Sequence, residues 1–138
     1  MEAHPRPDLV DEIGVVHQEL TRRAAGGGWE SVDAVLNLGA AVLFHGMLER
    51  LILHPSHVLL DPAVIRELDA EHRELAHHLQ TLGELRRSDP TSPDLPPLAE
   101  AVFHRLQEHL RKDARTIYGP LARLRLARAR ARGDDSSI

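Results

Sequence analysis

Ile65, Leu68, His72, Leu75, Leu79 and Leu82 step along the chain by three and four residues without a break. That rhythm lines side chains up in one stripe along an α-helix. Three other segments repeat it: Leu9, Ile13, Val16 and Leu20; Leu38, Val42, His45, Glu49 and Ile52; and Val102, Leu106, His109, Asp113 and Ile117. The pattern predicts helices over about residues 8–25, 31–54, 62–87 and 98–118, and no strand pattern competes with it. The punctuation agrees. Asp8 is a candidate N-cap with Asp11 three residues on, Gly26-Gly27-Gly28 ends the first segment, Ser31 is a candidate N-cap for the second, and Pro55 stops it. Asp61-Pro62 reads as a cap followed by proline at the first helical position. The stretch from Ser88 to Pro97, with four prolines, is expected to turn helical only in its last residues. Short links between long amphipathic helices favour antiparallel neighbours, so the expected fold class is all-α, an up-down-up-down antiparallel four-helix bundle forming a single domain over 1–138.

The stripes are not wholly apolar. His17 lies between Ile13 and Leu20, and His72 sits in the middle of the third stripe. The second and fourth stripes each carry a histidine with a carboxylate four residues on, His45 with Glu49 and His109 with Asp113. Four residues advance an α-helix by about 400°, which leaves the two side chains roughly 40° apart and one turn apart in height. Each pair is therefore placed to grip one metal ion. Taken singly, a histidine on an apolar face is more often hydrogen-bonded to a neighbour than bound to metal, and a lone i,i+4 pair is often a surface contact. Together, four imidazoles and two carboxylates would face one core, with no Lys or Arg on the same stripes to neutralise them. Burying them unpaired would cost several kcal/mol per ion, roughly. A pair of metal ions resolves the cost, and the mixture of imidazole and carboxylate suits iron, manganese or zinc better than magnesium or calcium.

In these residues the chain resembles the hemerythrin-like (HHE cation-binding) family. That family carries a His on its first helix, His-x-x-x-Glu on its second, a His often preceded by Glu on its third, and His-x-x-x-Glu/Asp on its fourth. The matching positions are His17, His45 with Glu49, His72 within Glu71-His72-Arg73, and His109 with Asp113. Leu53-His54-Pro55 and Tyr118-Gly119-Pro120 match the way the family's second and fourth helices close, and the likeness covers about residues 8–121. The resemblance implies two non-haem iron ions, with Glu49 and Asp113 as bridging carboxylates, the four histidines as terminal ligands and an oxo or hydroxo solvent bridge. It also implies a small ligand, O2, NO or peroxide, handled by redox reaction or sensing; the alternative is an iron-responsive regulatory or storage module without turnover. Two departures stand out. Oxygen carriers of the family have a second histidine four residues after the third-helix His, where this chain has Ala76, so one coordination position is expected to be open or filled by water. His77, about 140° round from His72, is a candidate additional ligand that would need a π-bulge to reach the site. The second departure is Asp113, where many relatives have Glu.

Composition narrows the rest. No cysteine means no disulfide, iron–sulfur cluster or thiolate nucleophile, and a net charge of −4 argues against general nucleic-acid binding. The first residues lack the apolar run of a signal peptide and no stretch approaches 18 apolar residues, so no membrane contact and a cytoplasmic location are expected. Residues 121–132 are Arg-rich and helix-prone. They read as a short C-terminal helical extension or a bent continuation past Gly119-Pro120, with a homodimer or acidic-partner contact as the functional alternative. His4, His54, His57, His78 and His104 fall off the inward stripes and are expected at the surface. Gly46, beside His45, suggests close helix approach or a path for a small molecule.

Overall fold

The computed structural model describes residues 7–26, 31–53, 61–131 and 133. They form α1 (Pro7–Ala25), α2 (Val32–Leu53), α3 (Pro62–Ser88) and α4 (Leu95–Asp113), then one π-helical turn (Ala114–Tyr118) that runs on into α5 (Gly119–Ala131). The starts of α2 and α3 are capped as the sequence suggests: the Ala34 N–H donates to Ser31 Oγ at 3.1 Å, and the Ala63 N–H donates to Asp61 Oδ1 at 2.9 Å. The fourth helix begins at Leu95, three residues earlier than expected. Pro96 and Pro97 occupy its first turn, where a missing N–H costs nothing because those donors have no intrahelical acceptor.

Contacts run in opposite order on neighbouring helices. From α2 to α3, Leu36 lies near Gly83, Gly39 abuts Leu79, Gly46 abuts His72, and Arg50 meets Asp69 at 3.7 Å. Between α1 and α4, Gln107 Nε2 donates to the Ala24 carbonyl at 2.9 Å, while Gly14 lies beside the Tyr118 ring. The four helices therefore alternate in direction as an up-down-up-down bundle, and α2 also touches α4 across the diagonal. α2 packs against three neighbours, yet its outward face is apolar too, with Phe44, Met47 and Leu51 more than half exposed. It is long and apolar enough, by length and composition, to cross a membrane, which corrects the expectation that no stretch approaches that length; the core helix of a bundle passes the same test.

The apolar core falls into two clusters. The larger gathers Leu20, Val42, Leu75, Leu79, Leu82, Phe103, Leu106 and Leu110 among others; the smaller consists of Ile13, Leu53, Leu68, Ile117 and Leu121. On every helix the polar stripe residue falls between them: His17 between Ile13 and Leu20, His45 and Glu49 between Val42 and Leu53, His72 between Leu68 and Leu75, and Asp113 between Leu110 and Ile117. A polar layer crosses the bundle.

Candidate metal centre

Five members of the layer are almost wholly buried, with exposures of 3% for His17, 2% for His45, 3% for Glu49, 5% for His109 and 1% for Asp113. His72 is partly buried at the edge. They make two three-donor sets, His17 with His45 and Glu49, and His72 with His109 and Asp113, with one ligand atom from each residue inside 4.8 Å of the others in its set. His45 Nε2 stands 3.0 Å from Glu49 Oε2, His72 Nε2 stands 3.1 Å from His109 Nε2, and His109 Nε2 stands 3.2 Å from Asp113 Oδ2. Two ligands at right angles on an ion with bonds of about 2.1–2.2 Å are separated by about 3 Å. The donor atoms are thus spaced as neighbours on one coordination shell. Both nitrogens of His17, Nδ1 of His45, Glu49 Oε1 and Asp113 Oδ1 are buried without a hydrogen-bond partner, and each such orphan is costly. The residues fit metal ions.

The proton inventory supports the fit. Glu71 accepts from Lys112, which also pairs with Glu67 at 3.3 Å; burial raises the Glu71 carboxyl, but Lys112 and His109 outweigh it and hold it below the usual range. Ionised, Glu71 can only accept, so the contact at 3.0 Å means that His109 Nδ1 carries a proton and donates it. In the charged ring Nε2–H donates to Asp113; in the neutral ring Nε2 is a lone pair facing His72 and Asp113, free to take a cation. Burial lowers the His109 pKa, yet hydrogen bonds and charge from Asp113 and Glu71 leave it raised overall. His72 is lowered by burial and by His109 beside it. Burial likewise raises Glu49, but the hydrogen bond and charge of His45 and the Tyr118 hydroxyl hold it low.

Two opposed shifts give a pH signature for the metal-free chain. Burial lowers His17 from 6.5 to about 4, so the unfolded chain takes up the proton first, and the stability present above pH 6.5 is lost as pH falls toward 4. Burial raises Asp113 from 3.8 to about 6, so its ionisation penalty is present above pH 6 and is relieved as pH falls toward 3.8. The two largely cancel between pH 6.5 and 4. Relative to the unsubstituted chain, His17→Leu should therefore gain stability as pH falls through this window and Asp113→Asn should lose it, each by up to about 3 kcal/mol in chemical denaturation.

Three residues outside the sequence-derived set join the site. Tyr118 donates its hydroxyl to Glu49 Oε2 at 2.5 Å, stands 3.0 Å from His45 Nε2, and stacks on the His17 ring at 4.3 Å. Glu71 and Lys112 support His109 from the rim. His77 corrects an expectation: it is exposed, its ring neighbours His78 at 5.9 Å, and α3 is regular α-helix throughout. The π turn falls instead at the end of α4. Ala76 is also exposed, so the place of the missing imidazole points to solvent and not to an open position at the metals. His104 is exposed and His78 half-buried, while His4, His54 and His57 lie outside the described residues. Gly46 has a packing role: a Cβ there would stand 2.6 Å from Cε1 and Nε2 of His72, so the ring needs the bare backbone.

Comparison with protein-family models, with curated proteins and with solved structures yields no match for this chain.

Proposed function

We propose that this chain is a dinuclear non-haem iron protein of hemerythrin-like type, handling O2, NO or peroxide by redox reaction or sensing. The observation that carries the reading is the polar layer itself: four imidazoles and two carboxylates in two facing sets, buried between apolar clusters, with five orphaned polar atoms. His17, His45 and Glu49 would hold one ion and His72, His109 and Asp113 the other; the mixed donor set suits iron. Bound iron would supply electron transfer and a Lewis-acidic place for the small ligand. The protein's part is to orient and to exclude. Glu71 fixes the His109 tautomer, and the apolar clusters keep bulk water from the layer. A cavity of about 30 Å³ between α2 and α3 is lined by Glu49 and His72 together with Leu53, Ile65, Leu68 and Ile117. That is room for a water-sized or diatomic molecule.

Protein reconstituted with ferrous iron should hold two irons per chain after desalting. His45→Ala or His109→Ala should each remove most of it, Glu49→Ala and Asp113→Ala should do the same, and His77→Ala and His104→Ala should leave it unchanged, as read by metal analysis. Equal losses in the two groups would sink the site assignment. Exposure of the loaded protein to peroxide, O2 or NO should then change its optical spectrum, with consumption faster than by free iron. Full iron loading without such consumption would instead favour the iron-responsive regulatory or storage reading.

A further inference from the structure

The π turn delivers the chain's only tyrosine to the first donor set. In a regular helix Tyr118, five residues after Asp113, would point about 140° away from it. Pro120 forbids that regularity: it has no N–H for the Thr116 carbonyl, and its ring crowds the same carbonyl. The turn widens, Gly119 N–H reaches back to the Ala114 carbonyl, and the phenol swings toward the layer. Its oxygen, at 2.5 Å from Glu49 Oε2 and 3.0 Å from His45 Nε2, closes a triangle with two atoms that are themselves 3.0 Å apart. Such a triangle resembles one face of an octahedral shell. The ring is held in place by stacking on His17, at 28° between planes. The hydrogen bonds and ring contacts of Tyr118 in the layer are to His17, His45 and Glu49.

We propose that Tyr118 is the fourth protein ligand of the His17, His45 and Glu49 set, a phenolate oxygen donor. The proposal rests on the metal reading above and adds to it a donor from a different helix from the one that carries Ala76. On loading with ferric iron the phenol O–H bond breaks, its proton leaves to solvent, and an oxygen lone pair forms the metal bond. No electron is transferred, so no oxidant or reductant is needed.

A ferric-loaded chain should then be coloured by a broad visible phenolate-to-iron charge-transfer band, with tyrosine ring modes enhanced in resonance Raman spectra excited in that band. Tyr118→Phe should bind iron at the first set more weakly and lack the band even in samples matched for bound iron by metal analysis. Loading the unsubstituted chain with gallium(III), which is redox-inert, should produce the ultraviolet difference spectrum of a metal-bound tyrosine. With a single tyrosine, that signal has one source, and it does not depend on a variant that folds. Iron bound in full without colour or phenolate modes, and no gallium signal, would overturn the Tyr118 assignment alone. Failure of iron and gallium to bind would overturn the metal reading and the ligand with it.

Discussion

Metal-free protein carrying His17→Leu should melt at a higher temperature than the unsubstituted metal-free chain. His17 is 3% exposed and both its ring nitrogens lack hydrogen-bond partners, so its place in the core costs about 1–3 kcal/mol that a leucine of similar volume does not incur. Some of that is offset by the lost stacking on Tyr118, worth about 0.5–1.5 kcal/mol. The net gain, on the order of 1–2 kcal/mol, corresponds to roughly 3–8 °C for a chain of this size. With metal present the order should reverse, because the variant lacks a donor of the first set and forfeits the stabilisation that bound ions add to the folded state. Calorimetry with chelator and with iron checks both arms. A variant less stable in both would mean that the layer is an ordinary polar core, satisfied in ways the geometry does not reveal.

Two glycines on one helix separate metal binding from packing. Gly46→Ala should leave metal-free stability almost unchanged, since the helix-propensity gain of about 1 kcal/mol offsets rotation of the half-buried His72 ring toward solvent. The second set, reduced to His109 and Asp113, should bind at least roughly a hundredfold more weakly, and stoichiometry after dialysis should fall from two ions to one. Gly39→Ala should do the opposite. Its Cβ would stand 2.3 Å from Cδ2 of Leu79, inside the larger cluster, so overpacking should cost about 1–3 kcal/mol while metal content stays at two. If Gly46→Ala retains both ions, His72 is not a ligand.

The six layer residues were legible because each helix keeps the 3.6-residue period on which spacing arguments depend, and the caps at Ser31 and Asp61 because their chemistry is local. What escaped depends on geometry that one helix's spacing cannot supply. Tyr118 is turned to the site by one extra residue in a π turn, and the only trace in the sequence is the Gly119-Pro120 that follows. Glu71 reaches His109 across two helices, so the contact depends on their relative register. His72 already lies to one side of the Leu68, Leu75 and Leu79 stripe; a further 40° or so of rotation takes Ala76 from the expected ligand position into solvent.

The division of the core has a consequence for how the chain opens. Apolar packing makes folding cooperative when it is continuous, and here it is interrupted by a plane that, without metal, holds unsatisfied atoms in place of contacts. The end built on Ile13, Leu53, Leu68, Ile117 and Leu121 has few buried side chains of its own and depends on that plane for its link to the rest. Bound ions would act there as mortar between two courses. Loss of the ions would let the small end loosen as a separate unit at a free energy below that of global unfolding, so that iron status would be written into local breathing of the bundle as well as into its chemistry.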